Sequence, residues 1–191
     1  LKVVSTVHHP LTIDLKLRIR DIDRSFRDIL GSIEFYPVLM QRFVAPRLNC
    51  IITASRAGKD ELIDGYRVPS HKIRIVPGGL DTDTFKPREG LIRKKNNLLF
   101  VGNTDQSQKG IIYLLKAMTY LPEEIKLAIV DDPMKFFAPR IIWELGLNNR
   151  VNFTGKVSED ELVNHYSTTT ITVLPSVYEG FGLPAVEAMA C

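Results

Sequence analysis

Residues 168–191 constrain the fold more than any other stretch. An apolar, β-branched run from Thr168 to Leu174 leads into a loop holding Gly180 and Gly182, and Pro184 then opens a helical pattern. Strand, glycine loop and helix in that order predict a parallel α/β unit whose backbone can hold an anion. The free N–H groups of the first helical turn and the positive end of its dipole face the loop, and glycines there let a ligand approach the main chain.

Two carboxylates bracket the loop, Glu179 before it and Glu187 on the first helical turn or just past it. A carboxylate repels phosphate but accepts hydrogen bonds from hydroxyl groups, so the pair suits a ligand with phosphate between two polyhydroxyl ends, as in a nucleotide sugar. Taken singly, Glu187 also fits a partner of the helix dipole and Glu179 a solvated loop residue.

The spacing Glu-x7-Glu lies within Pro175-Ser-Val-Tyr-Glu-Gly-Phe-Gly-Leu-Pro-Ala-Val-Glu-Ala-Met-Ala-Cys191. This pattern resembles the signature of retaining glycosyltransferases of family four, which have the GT-B architecture. The resemblance implies that Glu179 and the amides of Gly180, Phe181 and Gly182 contact the donor sugar and its diphosphate, while Glu187 binds the ribose hydroxyls.

The remaining chain reads as repeated α/β units. Lys2–Val7 is expected to be a buried parallel strand ending at His8 and His9, where ligands of open α/β sheets sit. His8 aligns with a strand-end His that the family places near the donor sugar across the interdomain cleft; a structural turn histidine is the plain alternative. Leu15, Ile19, Ile22, Phe26, Ile29 and Ile33 make an amphipathic helix face, with Lys and Arg mixed among Asp on the other side. Further elements are a helix over 35–48, a strand over 50–54, and a helix capped by Ser55 and ending near Gly65.

Lys72–Pro87 resembles the family's hand-over segment between domains, with Gly78 where Asn is usual. A polar linker over 85–96 sets the expected boundary, giving domains 1–90 and 91–191. The strand over 98–101, the loop Gly102–Gly110 and the helix from Ile111 repeat the anion-holding arrangement with Lys109 at the helix entrance. The family carries Gly-Arg and Lys-Gly in this loop; here Lys109 remains but Asn103 replaces the Arg, which puts donor affinity or turnover in doubt.

Lys126–Val130 is a strand ending at Asp131 and Asp132, expected in a solvated loop rather than on a metal. A helix over 136–145 follows, then the strand and turn 151–157. The family sets the backbone after Gly155 beside the nucleobase, which makes Val157 a contact. Ser158 and Glu161 form a capping box for the next helix.

Of 191 residues, 45% are hydrophobic and 25% charged, ordinary for a globular chain. No apolar run approaches a membrane span, and no signal-peptide pattern opens the chain. Cys50 and Cys191 show no metal-ligand spacing and read as reduced, hence a cytoplasmic setting. Residues 1–95 hold 18 Lys and Arg against 11 Asp and Glu, whereas 96–191 hold 7 against 11. The basic half fits a solvated surface or a peripheral inner-membrane contact.

Leu1 in an apolar run and Cys191 inside an uncapped helix predict an internal fragment. The expected fold is therefore two Rossmann-like doubly wound domains of GT-B type, both truncated. The implied reaction is metal-independent transfer from a nucleoside-diphosphate sugar to a glycan or lipid-linked acceptor, with no cofactor and no nucleic-acid partner. The alternatives are a sugar-nucleotide-binding protein without transferase activity, suggested by Asn103, and a GT-B epimerase.

Overall fold

The computed structural model describes residues 2–8, 10, 12–13, 36–134 and 137–191. The helix expected on Leu15–Ile33 and the neighbour His9 lie outside them. By packing, the chain forms two compact units: residues 1–78 with 178–181, and residues 79–177 with 182–191.

The first unit is built on three parallel strands in the order β1-β2-β3, namely β1 (Val4–Thr6), β2 (Cys50–Thr53) and β3 (Ile73–Ile75). β1 was expected to be buried, yet Val4 is 58% exposed; among the described residues β1 pairs with β2 on one side only. Helix α1 (Tyr36–Val44) runs into a 3-10 turn (Ala45–Arg47), and α2 (Arg56–Tyr66) follows β2. Ser55 caps α2 by accepting from the Gly58 amide at 3.1 Å. The helix outlasts Gly65, because Arg67 takes the left-handed terminating conformation with φ 57°. Ile51, Leu62, Tyr66, Val68 and Ile73 form the core. Beside it the buried Glu61 carboxylate accepts from Thr12 Oγ1 at 2.5 Å, and Tyr66 Oη donates to Gln41 Oε1 at 2.6 Å.

The second unit has four parallel strands in the order β6-β5-β4-β7: β4 (Asn97–Val101), β5 (Lys126–Val130), β6 (Val151–Phe153) and β7 (Ile171–Thr172). Its helices are α3 (Ile111–Met118), α4 (Phe137–Glu144), α5 (Glu159–Thr168) and α6 (Leu183–Ala190). Alternation along each strand supplies both faces of the sheet. Leu98, Phe100, Leu127 and Ile129 pack with Ile111, Leu115 and Ile142 of α3 and α4. Leu99 packs with Val163 and Tyr166 of α5 and with Cys191, and Val101, Ala128 and Val130 join that second cluster. Each such fully buried side chain stabilises the fold by about 1.5–3 kcal/mol.

β7 is shorter than the expected strand over 168–174, and Ile171 is 55% exposed; among the described residues β7 pairs with β4 alone. The ladder continues past it nonetheless: Thr170 N–H donates to Asn97 O at 3.0 Å and Val173 N–H to Leu99 O at 2.8 Å. α5 carries the expected capping box, with Ser158 and Glu161 bonded reciprocally.

Candidate functional site

Strand order alone locates a site in the second unit. The chain winds outward from β4 to β5 to β6, then crosses back and places β7 on the other side of β4. The loops leaving β4 and β7 therefore diverge to opposite faces, opening the crevice in which doubly wound sheets bind ligands at their carboxyl ends. Those are the two glycine loops singled out in the sequence.

They touch. Gly110 has φ 68°, and a Cβ built on it would lie 2.1 Å from the Pro175 carbonyl oxygen, so only glycine permits this approach. Val177 N–H donates to Gln108 O at 2.8 Å, a second tie between the same loops. Lys109, half-buried, precedes α3 on a 3-10 turn (Ser107–Lys109), and its stem lies over Gly102, where a Cβ would be 3.8 Å from Lys109 Cδ.

The loop after β4 satisfies much of its own backbone. Asn103 Oδ1 accepts from Asp105 N–H at 3.0 Å, and Asn103 O accepts from Gln106 N–H at 3.3 Å. This is a turn that an arginine side chain cannot make, and it gives Asn103 a local reason to stand there. Thr104, 1% exposed, donates through both N–H and Oγ1 to Asp131 Oδ2, each at 2.7 Å. Asp131 is thus a strut under the loop rather than the solvated residue expected from the sequence. Asp132 instead accepts from Met134 N–H at 2.9 Å.

Helix α6 begins at Leu183 with Gly182 as its N-cap at φ 82°. The Gly182 carbonyl accepts from Ala185 N–H at 2.9 Å and from Val186 N–H at 3.4 Å, while Pro184 has no N–H. Of the first turn that was expected to hold an anion, Ala185 and Val186 N–H are thus engaged and Pro184 has none, which leaves the Leu183 amide. Glu187 is the fifth residue of α6, half-buried, and its Oε2 accepts from Tyr166 Oη at 2.7 Å. Burial first, and then this hydrogen bond, push the Tyr166 phenol well above its ordinary value, so it stays a donor at any working pH.

Val157 is half-buried in the loop after β6, two strands from β4. At the usual strand spacing that is about 10 Å. Asn103, Lys109, Val157, Gly182 and Glu187 thus share the second unit, whereas His8, Glu179, Gly180 and Phe181 fall in the first.

Within the first unit, His8 stands at the carboxyl end of β1 with its carbonyl against Gly180: a Cβ there would lie 2.2 Å from His8 O. A Cβ on Gly78 would lie 2.9 Å from Phe181 Cδ1, so a side chain at that position needs the Phe181 ring to shift. Glu179 is half-buried. Tyr178 Oη lies 3.5 Å from where a Gly58 Cβ would stand, and burial, with the Glu61 carboxylate second, raises its phenol above the ordinary range.

Sequence reasoning missed Tyr166 and Asp131. Both sit at the end of an element, where composition gave no sign of what they would bond. Among the described residues no helix is long and apolar enough to cross a membrane, and Cys50 and Cys191 are free thiols.

Comparison with known proteins gives a consistent result. The family profile described as glycosyl transferases group 1 matches residues 81–191, and that of glycosyltransferase family 4 matches residues 1–84. The MMP alpha-(1->4)-mannosyltransferase of Mycolicibacterium hassiacum is 33% identical over 195 residues, covering 98% of this chain and 46% of the relative. The O-antigen chain mannosyltransferase RfbU of Salmonella typhimurium is 28% identical, covering 99% of this chain and 54% of the relative. The chain therefore spans about half the length of the curated relatives it matches. In fold it is similar to sucrose-phosphate synthase from Thermosynechococcus elongatus (TM-score 0.74, 22% identity, 98% of this chain and 48% of that one). It is also similar to Anabaena HepE solved with UDP and glucose (TM-score 0.74, 21% identity, 100% and 51%). With a family profile over more than half its length and two parallel α/β units like those of these neighbours, the chain belongs to the group 1 glycosyl transferases and has the GT-B fold.

Proposed function

We propose that the protein carrying this chain is a retaining, metal-independent glycosyltransferase that moves a hexosyl group from a nucleoside-diphosphate sugar to an acceptor hydroxyl. The observation that carries the reading is the pair of clamped glycine loops at the β4–β7 switch point, with a lysine at one helix entrance and a glutamate on the other helix. Two relatives are named as mannosyltransferases, which favours mannose as the group transferred. HepE was solved with UDP, which supports a nucleoside diphosphate as the leaving group.

In this reading Lys109 and the amides of Gly180, Phe181 and Gly182 hold the diphosphate and neutralise the charge that grows as the sugar leaves. Glu187 accepts from the ribose hydroxyls, Glu179 from hydroxyls of the donor sugar, and the backbone at Val157 borders the base. Asn103 adds no charge to the loop, so Lys109 carries its cationic part. His8 donates to an oxygen of the sugar. The bond from the anomeric carbon to the phosphate oxygen breaks, and that oxygen keeps the electron pair. The acceptor oxygen bonds to the same face of the carbon, and the leaving phosphate takes the acceptor's proton, so no separate base is needed. The acceptor is a glycan or a lipid-linked glycan, and the basic half of the sequence would bring the protein to the inner membrane surface.

The test is turnover of nucleotide sugars by the full-length protein with chelator present, with the product anomer read by NMR. Transfer with the donor's configuration kept, abolished by Lys109→Ala, supports the reading. Inverted product, or activity only with added metal, overturns it.

A further inference from the structure

We propose that Tyr166 is a positioning residue of the donor site, holding the Glu187 carboxylate in the orientation in which it receives the ribose hydroxyls. This rests on the reading of Glu187 just given. Tyr166 lies in the last turn of α5, is 2% exposed, and packs in the cluster of Leu99, Val163 and Phe85, with the Phe85 ring 6.4 Å away at 57°. Its ring is therefore fixed by packing on the far side of the sheet from α3. From that fixed point its hydroxyl reaches Glu187 Oε2 at 2.7 Å, across twenty-one residues of chain.

A half-exposed glutamate on a helix ordinarily samples several rotamers, and a ligand must bear the entropy of freezing them. One hydrogen bond from an immobile donor removes that cost before the nucleotide arrives. It also leaves Oε1 and the remaining lone pairs of Oε2 to accept from a diol. Phe85 gives the device its anchor: it comes from the connector 79–96, so the segment that precedes β4 is packed against the residue that sets the glutamate. Tyr166→Phe keeps the ring and its packing and removes only the hydroxyl.

The experiment compares binding of a nucleoside diphosphate with that of its 2′,3′-dideoxy analogue by calorimetry, in the full-length protein and in Tyr166→Phe and Glu187→Gln, with melting temperatures recorded. We expect Tyr166→Phe to weaken the ribonucleotide about tenfold, with the dideoxy analogue bound as by the wild type and the fold retained. Equal weakening of both nucleotides would mean a merely structural tyrosine and overturn the inference. Unchanged binding in Tyr166→Phe with weakened ribonucleotide binding in Glu187→Gln would overturn it alone. Unchanged ribonucleotide binding in Glu187→Gln would overturn both the inference and the ribose assignment on which it rests.

Discussion

The two glycine loops look alike in sequence but are held in different ways. The loop after β4 is bonded through its own polar groups: the Asn103 turn, the Thr104–Asp131 pair and a 3-10 turn leading to Lys109. The loop before α6 is tied to the first through Val177 N–H, which donates to Gln108 O at 2.8 Å. It is shaped by close approach, with Gly110 against Pro175 O and Gly180 against His8 O. The bonds printed for the first loop run mostly within it and to Asp131, whereas the glycines that constrain the second meet backbone carbonyls at short range.

That contrast can be broken by substitution. The largest effect is expected from Gly110→Ala, which combines a left-handed conformation with an overlap at 2.1 Å. Together these should cost about 2–5 kcal/mol, read from urea unfolding. Gly146 has the same φ of 68° but nothing within 4 Å of a built Cβ, so Gly146→Ala should cost only about 1 kcal/mol. If the two variants lose the same stability, close approach is not what holds the loops together.

Asp131→Ala tests the other half. It strands the buried Thr104 amide and hydroxyl and should cost about 1–3 kcal/mol, with Lys109-dependent binding weakened as the loop loses its strut. Ser158→Ala removes the cap of α5 and should cost about 1 kcal/mol, read from the same unfolding curves. The smallest effect concerns pH. The Tyr166 phenol is raised in the folded state, so the unfolded chain gives up its proton first, near pH 10. The stabilisation is whole below that pH and is lost as the pH rises past it. Unfolding curves of Tyr166→Phe should therefore fall less steeply than those of the wild type in that range.

Much of this was legible in the sequence because it rests on local rules. The strand over Lys126–Val130, the strand expected over 98–101 and found over Asn97–Val101, the Ser55 and Ser158 caps, and helices entered after Lys109 and near Pro184 follow from periodicity and turn chemistry. What was not legible depends on partners far along the chain. Burial at β1 was overestimated because an apolar run does not say how many strands pair beside it; among the described residues β1 pairs with β2 alone. Asp131 was read as solvated because its partner Thr104 is twenty-seven residues away, and Tyr166 was passed over because Glu187 is twenty-one away. The free N–H groups assigned to the α6 entrance proved largely engaged, since Gly182 O takes two of them and Pro184 removes a third. Asn103 was legible only as a departure; the turn it makes with Asp105 gives the reason for it.

The central claim is that the β4–β7 switch point is a nucleoside-diphosphate site using Lys109 and Glu187. Calorimetric titration of UDP, GDP and ADP into the full-length protein, beside Lys109→Ala and Glu187→Ala, tests it most directly. One diphosphate should bind selectively, and each substitution should weaken it by about 1–3 kcal/mol. Binding of none of the three, or binding indifferent to both substitutions, would contradict it.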